Sequence, residues 1–282
     1  MRRGPLLALS LALAAASCAS PDGGSVAGRA PTATATSTTT GIAQTTTSTL
    51  STSPRPAWLG RRALPLRPDG LGEIQPTPPE LVDRRFATID LLPPPVDDDF
   101  SSSVTEPPAD VIARSTWTDA CPVAVADLRY LTVSFWGFDG LAHTGELLVH
   151  RDAVDVMVSG FEALFRRRFP IEEMRVVRAD ELDVPPTGDG NNTSAFVCRP
   201  SVGSTSWSQH AFGRAVDINP FHNPYVRDDV VIPELASWYV DRPERPGVVT
   251  GDDVEGFVSG GWGWGGRWQS SKDWMHVSAN GR

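Results

Sequence analysis

Three cysteines and a single lysine, Lys272, are the scarcest features of this 282-residue chain, and each scarcity excludes something. Three thiols cannot close a four-thiolate zinc site of the structural kind. Basic residues number 25 against 34 acidic ones, for a net charge of -9 and a pI near 5.0. Recognition of a polyanion needs clustered positive surface, so binding of nucleic acid is excluded as the main function. No apolar run reaches the roughly 20 residues of a membrane-spanning helix. The longest, residues 6–16, follows Arg2 and Arg3 and precedes Ser17-Cys18, the layout of a signal peptide over residues 1–18. Ala15-Ala16-Ser17-Cys18 also fits a bacterial lipoprotein cleavage box with Cys18 as the lipidated residue; the alternative is ordinary cleavage nearby and free secretion.

Proline and glycine, at 25 residues each, reduce the foldable part to one globular domain. Residues 19–56 are Thr, Ser, Ala, Gly and Pro with almost nothing large and apolar, and cannot offset the entropy of ordering. Such a tether of about 40 residues has a root-mean-square reach on the order of 30 to 40 Å. Residues 57–114 are Pro-rich but hold Phe86, Ile89, Leu91, Leu92 and Phe100, which predicts an irregular arm partly packed on a domain spanning 115–282.

Within that domain, residues 130–135 alternate with β-branched and aromatic enrichment and 145–150 read as a second strand. Asp152 is placed to cap a helix running to about Arg168, with Val154, Met157, Phe161, Leu164 and Phe165 on one stripe and Pro170 as its stop. Residues 175–177, 213–218 and 273–278 read as further strands, and 252–259 as a short helix ended by Gly260 and Gly261. Strands in hairpin-like neighbours with helices between them predict an α+β fold built on a small antiparallel sheet with flanking helices.

The chemistry lies in two stretches, Ser208-Gln209-His210-Ala211-Phe212-Gly213-Arg214-Ala215-Val216-Asp217 and Asp273-Trp274-Met275-His276. Together they supply two imidazoles, a carboxylate ligand and a spare carboxylate. Three protein ligands of mixed His and Asp type leave the fourth position of a catalytic zinc open. On a strand, Ala215 and Asp217 share a face while Val216 faces the core, and Trp274 and His276 lie opposite Met275 and Val277. Met275 is then expected to anchor its strand. His143, His150 and His222 lie outside these stretches and read as structural. Trp262, Trp264, Trp268 and Trp274 could flank a groove, although packing against the Gly-rich turns is the plainer use.

The pair of motifs resembles the zinc metallopeptidases of the VanY-like D-alanyl-D-alanine carboxypeptidase and L-alanyl-D-glutamate endopeptidase family. The likeness runs from about residue 115 to 282, through Cys121-Pro122-Val123, Phe138-Asp139-Gly140, Phe169-Pro170-Ile171, Asn191-Asn192-Thr193-Ser194-Ala195-Phe196, Cys198-Arg199 and Gly261-Trp262-Gly263-Trp264-Gly265-Gly266. It implies a Hedgehog/DD-peptidase-like fold with zinc on the open face of the sheet. It further implies His210, Asp217 and His276 as zinc ligands, Asp273 as the general base and Arg199 as the substrate-binding and oxyanion-stabilising residue. Ser208 is a candidate for substrate contact or for a bond within its loop. Aspartate rather than glutamate at the base position leans toward the endopeptidase branch. The implied substrates are peptidoglycan stem peptides, met by a monomer outside the cytoplasm, with a lipid anchor as its membrane link. Two other readings stay open: a catalytically silent wall-binding module of the same fold, and a peptidase acting on proteins or secreted peptides. In an oxidising compartment Cys121 and Cys198 can pair, closing a long loop at a gain of roughly 4 to 5 kcal/mol in the chain-entropy model; two buried thiols are the other possibility.

Overall fold

Short strands interrupted by Gly, Pro and Trp divide the β-structure into several small sheets. The computed structural model describes residues 51–282; the signal peptide, Cys18 and residues 19–50 of the tether lie outside them. The elements in order are α1 (Pro79–Val82), β1 (Ser102–Thr105), α2 (Ala109–Arg114), β2 (Leu128–Trp136), β3 (Ala142–His150), α3 (Val154–Arg166), β4 (Glu173–Met174), β5 (Asn192–Thr193), β6 (Ala215–Asp217), β7 (Tyr225–Arg227), β8 (Val230–Ile232), α4 (Glu255–Val258), β9 (Gly263–Trp264), β10 (Lys272–Asp273) and β11 (His276–Ser278). Three antiparallel sheets form, ordered β1-β2-β3, β10-β7-β8 and β6-β11-β9, with a parallel pair β4-β5. The fold is α+β, as expected, but with several small antiparallel sheets where one was expected.

Helix α3 presents Met157, Phe161 and Leu164 to the main core, at the spacing that puts them on one face, and Phe165 to Trp136. Phe161 meets Phe257 of α4 edge-on at 5.6 Å, and a Cβ at Gly160 would run into that same ring. Asp152 does not cap this helix. The cap of the preceding turn is His150, whose Nδ1 accepts from the Asp152 amide at 3.1 Å, while the Asp152 carboxylate pairs with Arg214 at 3.2 Å. The chain leaves α3 through Arg168 in a left-handed conformation. The strand expected at 175–177 forms instead at Glu173–Met174, because Arg175 is drawn to Glu173 and Glu181 and its amide is held by Asn192.

The arm contributes core. Leu64, Leu81 and Phe86 are buried against Phe221, Leu235 and Tyr239, and β1 pairs along β2. Ile89 and Leu91 stay exposed, while Phe100 packs on Phe165. Against the Phe86 and Phe221 rings lies a buried ion pair: Arg84 Nε donates to Glu172 Oε2 at 2.7 Å and Nη2 to Oε1 at 2.9 Å. Arg84 also donates to the Asp189 carbonyl at 2.7 Å, and Asn191 Nδ2 to Glu172 Oε2 at 2.8 Å. Burial works against the Glu172 charge, yet the guanidinium keeps its carboxyl below the ordinary range.

His222 closes this cluster, its Nε2 facing the Arg84 carbonyl at 2.9 Å and its Nδ1 facing Asn191 Nδ2 at 3.1 Å. Burial, aided by the Arg84 charge, pushes its pKa down to about 4. The unfolded chain, with a histidine near 6.5, therefore binds more protons than the folded one between those values. Stability from this group is complete above pH 6.5 and is lost as pH falls toward 4, by roughly 3 kcal/mol. Urea unfolding of metal-stripped protein at pH 7 and 4.5 is expected to show that loss, and His222→Gln to flatten it. Equal slopes for both proteins would remove His222 as the source.

Candidate metal centre

The site forms where β6 and β11 pair. His276 lies directly opposite Asp217 in the antiparallel register, so the two side chains share a face. Their neighbours Val216 and Val277, also paired, turn into the core with no exposure and fix the register from behind. His210 comes from a single 3-10 turn, Gln209–Phe212, just ahead of β6. Ser208 caps that turn, its Oγ accepting from the His210 amide at 3.3 Å, which is the loop bond expected as one of its two roles. Gly213 ends the turn at φ 66°, and a Cβ there would meet the His150 amide nitrogen at 2.6 Å. Only glycine suits both the left-handed backbone and the close approach to β3.

Three donor atoms converge. His210 Nε2 stands 3.1 Å from His276 Nδ1 and 3.2 Å from Asp217 Oδ1, and His276 Nδ1 stands 3.1 Å from the same oxygen. Nitrogen and oxygen ligands held about 2.0 to 2.1 Å from a tetrahedral zinc lie about 3.3 Å apart, so the triangle has the size of one face of such a site. The far nitrogens are also engaged: His210 Nδ1 with the Ala195 carbonyl at 2.5 Å and His276 Nε2 with the Arg282 main-chain oxygen at 3.2 Å. A ligating imidazole is normally oriented through such an outer hydrogen bond. The residues fit a divalent cation held by His210, Asp217 and His276.

Charge follows the same geometry. Asp217 is half-buried, and the two imidazoles beside it hold its carboxyl far below the usual range against the cost of that burial. Burial disfavours the His276 cation, but the Asp217 carboxylate against its Nδ1 wins and lifts it to about 9. A bound cation would stand in for that proton between the same atoms. Asp273 behaves oppositely. Burial, with the Asp217 charge adding to it, raises its pKa to about 7 against the opposing pull of His276 and Arg199. Its Oδ1 is the one buried side-chain polar atom among the described residues with no hydrogen-bond partner. Gly265 permits its position, since a Cβ there would collide with the Asp273 main chain.

The four residues line a cavity of about 380 Å³. Arg199 and Ser208 line it as well, with Arg199 Nη1 on the Pro200 carbonyl at 3.1 Å and no ion pair among the described residues. Cys121 and Cys198 form a disulfide with Cα atoms 5.8 Å apart, one residue from Arg199. The opposite case is His143, held between Asp90 and Asp139 at 2.8 and 3.0 Å. It, His150 and His222 do not enter the site.

Two expectations fail here. The strand expected over 273–278 is broken at Trp274 and Met275: β10 pairs with β7, and β11 with β6 and β9. Met275 therefore lines the cavity instead of anchoring a strand, and the Trp274 ring lies under the Arg242 guanidinium at 4.8 Å. The sequence reading also missed the β7–β8 hairpin, whose Tyr225, Arg227 and Ile232 form a wall of the cavity, and the Ala195 and Arg282 carbonyls. Of the four tryptophans only Trp268 lines the cavity. A hairpin signal at Asp228-Asp229 was present; main-chain acceptors carry none.

Residues 202–279 match a family model described as D-alanyl-D-alanine carboxypeptidase. The match takes in His210, Asp217, Asp273, His276 and Ser208, and begins beyond Cys198 and Arg199. No curated protein and no solved structure matches the chain.

Proposed function

We propose that this chain, whose site-bearing segment is of the D-alanyl-D-alanine carboxypeptidase type, is a zinc-dependent peptidase cutting peptidoglycan stem peptides outside the cytoplasm. The observation that carries the reading is the convergence of His210, Asp217 and His276 on one point beside a buried carboxyl with an unpaired oxygen. Zinc held there by His210, Asp217 and His276 would supply a Lewis acid for hydrolysis of the peptide bond. Asp273, whose buried Oδ1 has no hydrogen-bond partner, takes the proton from the attacking water and passes it to the leaving amine. Arg199, at the cavity edge and free of carboxylate partners among the described residues, meets the negative charge that develops on the carbonyl oxygen or a substrate carboxylate.

Either a D-alanyl-D-alanine carboxypeptidase or an L-alanyl-D-glutamate endopeptidase can be built on this centre, and aspartate at position 273 favours the second. No helix among the described residues is long and apolar enough to cross a membrane, and attachment through lipidated Cys18 is our proposal for how the enzyme is kept at the envelope. A monomer suffices, since all the proposed site residues come from one chain. Digestion of purified peptidoglycan with mass spectrometry of the products tests the whole reading. Release of D-alanine or of a stem peptide cut after L-alanine is expected, abolished by a chelator and restored by zinc. No release under any zinc concentration would leave only the wall-binding module, and cleavage of proteins but not wall would shift the substrate class.

A further inference from the structure

Residues 278–282 fold back beneath His276 and are held there by a dense set of bonds. The Trp268 indole donates to the Gly281 carbonyl at 2.7 Å, the Ser278 hydroxyl to the Arg282 main-chain oxygen at 3.0 Å, and the Arg282 amide to Asn280 Oδ1 at 2.9 Å. The Ala279 amide donates to the Arg214 carbonyl at 3.0 Å, tying the segment to the residue just before β6. Gly281 makes the reversal with φ 70°, and a side chain at Gly263 would run into its Cα. The Trp268 ring also sits 5.8 Å from the His276 ring. What this construction delivers is one acceptor, the Arg282 main-chain oxygen, 3.2 Å from His276 Nε2.

We propose that residues 278–282 are a positioning element of the metal centre, in which the Arg282 main-chain oxygen fixes the His276 ring with Nδ1 toward the cation. The proposal rests on the zinc reading above. A histidine whose Nε2 is committed to a main-chain oxygen can offer only Nδ1 to a metal, and the bond also resists rotation of the ring. The side chain of Arg282 plays no part in this, since the acceptor belongs to the backbone.

Three variants test it through zinc affinity, measured by competition with a chromogenic chelator, and through the visible absorption bands of cobalt-loaded protein. Removing residues 280–282 is expected to weaken zinc binding about 10- to 100-fold and to shift the cobalt bands. Arg282→Ala keeps the oxygen and is expected to match the parent in both. Gly281→Ala strains the reversal and is expected to weaken binding in the same direction by less, which keeps the test open if the shortened chain misfolds. Unchanged affinity and spectrum in both the shortened chain and Gly281→Ala would overturn the proposal. So would an Arg282→Ala loss equal to that of the shortened chain, which would assign the role to the guanidinium. Parent protein that binds no zinc would overturn the zinc reading itself, a result distinguishable from failure of the positioning role alone.

Discussion

Asp273→Asn is expected to lower turnover on peptidoglycan about 100-fold or more while zinc content stays at the parent level, and Asp273→Ala to do the same. The size is that of losing a positioned proton acceptor. The amide has nearly the carboxyl's shape, so packing against Gly265 survives the change and only the ability to take a proton is lost. The carboxyl is the candidate because its buried Oδ1 has no partner to hold it in place of the reacting water. Kinetics and metal content measured on the same samples separate the roles. Zinc falling together with activity would make Asp273 a ligand, and full activity in both variants would move the base elsewhere.

The second large effect is on stability. Arg84→Ala is expected to cost roughly 3 to 5 kcal/mol in urea unfolding, because it strands the Glu172 carboxylate in a site where that side chain is 1% exposed. Arg55, one-third exposed, reaches only Glu172 Oε1 and at 3.5 Å, a weaker partner than the two short Arg84 bonds it would have to replace. Replacing both partners, Arg84→Met with Glu172→Leu, is expected to recover much of the loss, since the penalty lies in the unpaired charge and not in the absence of the pair. A loss below about 1 kcal/mol in the single variant would mean that water reaches Glu172.

These two residues show where the sequence was readable and where it was not. Asp273 and its partners stand in short, characteristic strings, and the strings survive as geometry because β6 and β11 place Asp217 opposite His276. Helix α3 was readable for a similar reason, its apolar stripe being local. Arg84 and Glu172 are 88 positions apart and nothing around either announces the other. Their pairing exists only once the arm has folded against the Phe221 and Tyr239 cluster. The break at Trp274 and Met275 was hidden because alternation alone does not reveal that a strand changes partners midway. Arg282 was unreadable for a deeper reason: what it places beside His276 is a main-chain oxygen, which no side-chain pattern announces.

That change of partners has a mechanical consequence. Asp273 is bonded to the β7–β8 hairpin through Tyr225, whereas His276, three positions later, is bonded to the core through Asp217 and its neighbours. The hairpin tip is itself braced from the arm, Arg67 donating to the Asp229 main chain at 2.8 Å and to its carboxylate at 3.1 Å. Asp273 and His276 thus ride on separate sheets joined at Trp274 and Met275. A displacement of the hairpin would therefore be felt at Asp273 before His276, and the arm, through Arg67, is the part of the chain that touches the hairpin tip.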